Sequence, residues 1–196
     1  ALVAGLLHDV LEDTEVTAAE VKEAFGKEVA ALVEGVTKIG RVQGAPPEAR
    51  QAETIRKIIL AMTDDLRVIF IKLADRLHNL QTLAHLPPDK QKSIAAETLE
   101  IYAPIANRLG MGRIKAELED LAFRFVEPDE FFRIDALVGP RRKTAEAELR
   151  KISRRLADLM KANGIPAEIG SRIKRPYSVY QKMKTQKTEF GQVYDS

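Results

Sequence analysis

Residues 8–13 read His8-Asp9-Val10-Leu11-Glu12-Asp13, and about sixty residues later Asp75-Arg76-Leu77-His78-Asn79 answers them. Both stretches lie in helix-compatible sequence. On one helix His8 and Glu12 are four apart, as are Asp9 and Asp13, so each pair shares a face. On a later helix Asp75, Asn79 and Thr82 follow at i, i+4 and i+7, again one face. Leu73, Leu77, Leu80 and Leu83 occupy much of the rest of that helix and can pack into a core. Such acidic clusters are expensive to bury unless a cation sits among them. The pattern predicts a helical domain built around a metal site.

The neighbouring sequence extends the helical reading. A first helix is expected to end near Asp13. Thr17-Ala18-Ala19-Glu20 is a capping box that starts a second, and Gly26 stops it. Val29, Leu32, Val33 and Val36 carry a third over 28–38. Gly40 to Pro47 reads as a loop, with Gly44-Ala45-Pro46-Pro47 as its breaker. Helices are expected at 48–62, 65–85, 89–108 and 112–126. Pro128 is read as an interruption, and a charged helix is expected over 140–163. After Asn163-Gly164 the period changes. Ala167 to Lys174 alternates like a strand, Pro176 opens a short helix to about Lys184, and Gln192-Val193-Tyr194 reads as a further strand. The fold class is therefore mainly α. A helical domain over 1–135 is followed by a linking helical segment over 136–163 and, over 164–196, the start of an α/β domain.

With 196 residues, 45% of them hydrophobic, the chain can form a packed core. No apolar run is long enough to cross a bilayer, so no membrane partner is expected. The absence of cysteine excludes disulfides, zinc-thiolate sites and cysteine nucleophiles, and it fits a reducing, cytoplasmic setting. Charge is uneven. Residues 1–140 hold 17 Lys and Arg against 23 Asp and Glu, whereas residues 141–187 hold 14 against 4. The basic segment suits a polyanion, either nucleotide phosphates or RNA. Ala1 to Leu7 is apolar with no cap before it, and Gly191 to Ser196 reads as the opening of a strand. The chain is expected to be a piece of a longer protein.

If the two polar stripes meet, His8, Asp9 and Asp75 supply one nitrogen and two carboxylates. That set suits Mn²⁺, Fe²⁺ or Mg²⁺ better than a closed structural zinc site. A metal so held polarises a phosphoryl oxygen and lowers the pKa of water. Glu12 and Asp13, one turn on, are placed to orient that water or accept its proton. The blander reading is a set of solvated acids at helix ends. The Asp on an otherwise apolar helix argues against it. His78, three residues from Asp75, reads as a packed histidine rather than a ligand, and His85 as a helix C-terminal residue beside Pro87.

His8-Asp9-Val10-Leu11-Glu12-Asp13-Thr14, the stretch from Ile71 to Leu83 and Glu97 to Met111 together resemble the HD hydrolase domain of the RelA/SpoT (Rel) family of alarmone enzymes. Ser171 to Lys184 resembles the start of their synthetase domain. The resemblance covers essentially the whole chain. It implies Mn²⁺-dependent removal of the 3′-pyrophosphate from ppGpp or pppGpp, giving GDP or GTP. By position it makes His8, Asp9 and Asp75 metal ligands, Glu12 and Asp13 the catalytic acids, and Asn79 and Thr82 nucleotide contacts. Intact His8-Asp9 and Glu12-Asp13 imply a hydrolase-competent or bifunctional type. The chain departs from the family at Asn107, where His is frequent. A further metal-binding His and a basic nucleotide-binding segment of the family would fall before Ala1.

A second constellation interleaves Arg172, Lys174, Arg175, Lys182 and Lys184 with Tyr177 and Tyr180. Charge and rings together suit phosphate and base, while core tyrosines under a solvated basic surface are the alternative. The resemblance makes Arg172 and Lys174 ATP-binding and puts Ser178 and Lys182 near the phosphates. It makes Asp195 the Mg²⁺-binding carboxylate of pyrophosphate transfer from ATP to GDP or GTP. The second synthetase carboxylate would follow Ser196, so this segment is expected not to transfer pyrophosphate. Any ribosome contact would fall to regions outside this chain. The 140–163 helix joins the two sites and is a candidate coupling element. Two other functions remain open at this point. One is a different HD-type nucleotide phosphohydrolase, and the other is a catalytically silent nucleotide- or RNA-binding regulatory module.

Overall fold

The computed structural model describes residues 1–40, 47–171 and 173–194. Residues 44–46 of the loop breaker expected at 44–47, and the candidate residues Arg172 and Asp195, lie outside the described residues, while Pro47 opens a helix. Twelve α-helices run through those described: α1 Leu2–Leu6, α2 Val10–Asp13, α3 Ala18–Phe25, α4 Lys27–Gly40, α5 Pro47–Asp64, α6 Arg67–Gln81, α7 Pro88–Glu97, α8 Ala103–Arg108, α9 Gly112–Val126, α10 Pro128–Ala162, α11 Pro176–Gln186 and α12 Phe190–Tyr194. A 3₁₀ turn, Leu83–His85, follows α6, and a π turn, Thr98–Tyr102, joins α7 to α8. No described residue forms a strand. None of these helices is long and apolar enough to cross a membrane.

The chain forms two compact units, Ala1–Ala122 and Phe123–Ser196. In the first, α4 is the hub and packs on α1, α2, α3, α5 and α6. Its buried row of Ala30, Leu32, Val33, Val36 and Ile39 follows helical spacing. Helix α6 answers with Val68, Ile69, Ile71, Leu73 and Leu80. At Gly35 an added Cβ would meet Val68 Cγ2 at 2.8 Å. Val68 is buried and β-branched, so it cannot easily turn aside. Gly35→Ala is therefore expected to destabilise by about 1–2 kcal/mol, despite the better helix propensity of alanine. Denaturant unfolding measures it.

The capping box forms as expected. The Thr17 N–H donates to Glu20 Oε2 at 2.8 Å, and the Glu20 N–H donates to Thr17 Oγ1 at 3.3 Å. Gly26, at φ 88°, ends that helix in a backbone region that glycine enters freely.

Five expectations are corrected. The first helix is broken at residues 7–9, for a reason that belongs to the site described below. The helix expected at 65–85 ends at Gln81, leaving Thr82 as its C-cap before the 3₁₀ turn. Pro128 does not interrupt. It opens α10 at the first helical position, where its missing N–H costs nothing, and Pro140 lies inside that helix rather than at its start. Gln192-Val193-Tyr194 is helical, closed by the Val193 N–H on the Glu189 carbonyl at 3.3 Å. Residues 167–171 and 173–174 also form no strand, because alternation alone cannot hold a strand that has no ladder partner.

In the second unit Phe123, Ile134, Val138, Val179 and Val193 form the core. Tyr177 and Tyr180 pack against it, Tyr180 stacked on Phe123 with ring centroids 4.6 Å apart. Both tyrosines are thus largely packing residues. Lys174 Nζ donates to the Val193 carbonyl at 2.7 Å and ties the segment before α11 to α12.

Candidate metal centre

The break between α1 and α2 builds the centre. In an unbroken helix the Gly5 carbonyl would take the Asp9 N–H. Here it lies 2.8 Å from His8 Nδ1. A carbonyl only accepts, so Nδ1 carries the proton and donates. The next turn is tightened, with Val10 N–H on the Leu7 carbonyl at 3.1 Å and Glu12 N–H on Asp9 at 2.9 Å. His8 and Asp9 therefore project from a turn, not from one helix face.

Asp75 reaches them from α6. His8 Nε2 lies 2.8 Å from Asp9 Oδ2 and 3.3 Å from Asp75 Oδ1. The Asp75 side chain is only 5% exposed. Its Oδ1 accepts from Asn79 Nδ2 at 2.7 Å, and its Oδ2 from Lys72 Nζ at 2.8 Å. With Nδ1 donating to Gly5, a neutral His8 presents an Nε2 lone pair to two carboxylate oxygens. Three acceptors facing one another demand a positive charge between them, a proton or a metal ion.

The donor set fits a metal. Ligand atoms of His8, Asp9 and Asp75 all lie within 4.8 Å of one another. Two ligands at about 2.1 Å and at right angles stand about 3.0 Å apart, close to both His8 separations. Nitrogen and oxygen donors without thiolate suit a hard or borderline divalent ion. The electrostatics agree. Burial raises the Asp9 pKa; the charges of Asp75 and Asp13 push it further up, while His8 and Lys72 pull it down.

A cleft of about 930 Å³ opens beside the three residues, within the range of small-ligand sites. Asp9, Glu12, Asp13, Asp75, Asn79 and Thr82 all line it. Glu12 and Asp13 are exposed on α2, and Asp13 is close enough to Asp9 to act on its charge. Asn79 spends its amide on Asp75, and Thr82 Oγ1 donates weakly to the His78 carbonyl at 3.3 Å. His78 is exposed rather than packed. His85 ends the 3₁₀ turn and also lines the cleft.

Several cleft residues escaped the sequence reading. Lys72 was open to discovery, since it stands three residues before Asp75 on the same face. Glu97, Glu100 and Tyr102 fall in the stretch from Glu97 to Met111 that carries the resemblance, but no spacing pointed to a role for any of the three. Arg76 is closely confined. Its side chain is 11% exposed, its Nη2 donates to Glu97 Oε2 at 2.7 Å, and its guanidinium lies 4.1 Å over the Tyr102 ring. Burial works against that charge, and Tyr102 and Glu97 more than offset it, so the Arg76 pKa is raised.

In the second unit Ser178 and Lys182 stand four apart on α11 and share a face, with Lys174 ahead of them.

The HD domain family matches residues 1–112. The chain is 47% identical, over all of its length, to a GTP pyrophosphokinase of Myxococcus xanthus. It is 45% identical, again over all of its length, to a guanosine-3′,5′-bis(diphosphate) 3′-pyrophosphohydrolase of Haemophilus influenzae. A GTP pyrophosphokinase of Brucella ovis is 43% identical over 97% of the chain. The chain spans only 26% to 29% of the length of these relatives. Their names carry the two activities that the RelA/SpoT resemblance implies.

Proposed function

This chain belongs to the HD domain family, and from that premise we propose that it carries the centre of a (p)ppGpp 3′-pyrophosphohydrolase. The reaction adds water to ppGpp or pppGpp and releases pyrophosphate with GDP or GTP. The observation that carries the reading is the meeting of one imidazole and two carboxylates, His8, Asp9 and Asp75, with ligand atoms within 4.8 Å of one another beside a nucleotide-sized cleft.

His8 Nε2, Asp9 and Asp75 would hold the metal, which we assign as Mn²⁺. When bound, it supplies Lewis-acid polarisation of the substrate phosphate and acidifies water. The chain's own groups do the rest. The Gly5 carbonyl fixes the His8 tautomer, and Lys72 and Asn79 fix the Asp75 carboxylate. Glu12 and Asp13, exposed in the cleft, orient the attacking water and take its proton. Asn79 and Thr82 face the nucleotide. In the second unit Lys174, Ser178 and Lys182, with Arg172 and Asp195, would serve a synthetase that binds ATP, Mg²⁺ and GDP or GTP in the longer protein. The setting is cytoplasmic.

The test incubates the protein with labelled ppGpp, with Mn²⁺ or with a chelator. Pyrophosphate and GDP should appear in equal amounts, and only with the metal. Orthophosphate as the product would indicate a different HD phosphohydrolase. Tight ppGpp binding without turnover, with Mn²⁺ present, would indicate a silent regulatory module.

A further inference from the structure

Glu100, Ile101 and Tyr102 of the π turn Thr98–Tyr102 line the cleft beside α6, and the Ala103 N–H on the Thr98 carbonyl closes that turn. In an α-helix residues five apart point about 140° away from each other. A turn closed on the fifth residue back brings them toward one side. Glu97 and Tyr102 are five apart, and they grip the same guanidinium. Glu97 Oε2 takes one edge of Arg76 at 2.7 Å, and the Tyr102 ring takes its face at 4.1 Å. The π turn thus has a local purpose, which is to present a carboxylate and a ring together to Arg76.

Arg76 follows Asp75 directly on α6, whose buried face is apolar and which Arg67 also ties to Glu28 of α4. An ion pair combined with a stacked ring admits only one guanidinium position. Tyr102 is itself 2% exposed and cannot yield. We propose that Arg76, Glu97 and Tyr102 form a positioning clamp that sets the height and rotation of α6, and so places Asp75 Oδ1 against His8 and Asp9. Arg76 acts through Asp75 and is not itself a catalytic residue.

This inference rests on the metal reading above, and its test separates the two. Mn²⁺ affinity is measured by calorimetric titration of the unmodified protein, Arg76→Gln, Arg76→Lys and Glu97→Gln, each shown by circular dichroism to be folded at the temperature used. Glu97 is 37% exposed, so Glu97→Gln keeps the test open if Arg76→Gln does not fold. The Mn²⁺ dissociation constant should rise about tenfold or more in Arg76→Gln and Glu97→Gln, as for other residues that orient metal ligands. Arg76→Lys, which retains the charge, should recover part of that loss. Hydrolysis should lose kcat at saturating Mn²⁺ with little change in KM for ppGpp. Equal Mn²⁺ affinity in folded variants and unmodified protein would overturn the clamp while leaving the metal centre standing. No Mn²⁺ binding by the unmodified protein would overturn the metal reading, and the clamp with it.

Discussion

Asp75→Asn should abolish both Mn²⁺ binding and ppGpp hydrolysis while leaving the fold in place. The substitution keeps the size of the side chain and one carbonyl oxygen, enough to accept from Lys72 or from Asn79 in their present places, so one of those two hydrogen bonds is given up. What it removes is one of two negative charges facing His8 Nε2. A metal ion contributes several kcal/mol of transition-state stabilisation, and about 4 kcal/mol corresponds to roughly 10³-fold in rate. The loss should be at least of that order. A second readout does not depend on turnover. Mn²⁺ should raise the Tm of the unmodified protein by binding only the folded state, and that rise should vanish in Asp75→Asn. A variant that kept both the Tm rise and the pyrophosphate release would remove Asp75 from the ligand set.

The double variant Glu12→Gln/Asp13→Asn should behave in the opposite way. Both side chains are exposed and line the cleft, and neither is among the three groups that converge on one point. Removing them leaves His8, Asp9 and Asp75 with their charges, so Mn²⁺ affinity should stay within a few-fold of the unmodified protein. General acid–base groups contribute about 10²–10⁴-fold, and kcat should fall by that factor with KM for ppGpp little altered. Full hydrolysis by the double variant would return both acids to the solvated surface. With these outcomes the two variants would divide the centre into residues that hold the ion and residues that handle the proton.

Much of the helical organisation could be read directly from residue spacing. The buried row of α4 and the Thr17–Glu20 capping box rest on interactions three or four residues apart, which a linear pattern records. Readings failed where a distant or unexpected partner decides. The strand expected at Gln192 to Tyr194 is a helical turn bound to Glu189. Tyr177 and Tyr180 could have faced a base, but Phe123, more than fifty residues earlier, draws both into a core. The unbroken first helix failed for a different reason. His8 offers the Gly5 carbonyl a side-chain donor, and that local bond competes with the helical one.

For the site itself, the chain order of residues determined which chemical groups are present: one imidazole and two carboxylates for an ion, two further acids nearby, and no thiol. Those are properties of the side chains and survive any arrangement of the backbone. Only the tertiary structure decided that they meet. Asp75 lies 67 positions from His8 in the chain, yet its Oδ1 stands 3.3 Å from His8 Nε2. Packing of α1, α2 and α6 with the α4 hub brings them together, as apolar burial pays the entropy of closing so long a loop. The same closure set Lys72 and Asn79 on Asp75, and Glu97 and Tyr102 on Arg76. A carboxylate in water is an ordinary surface acid. Confined at 5% exposure beside a second carboxylate and the His8 imidazole, it stands as one of three candidate ligands for a cation.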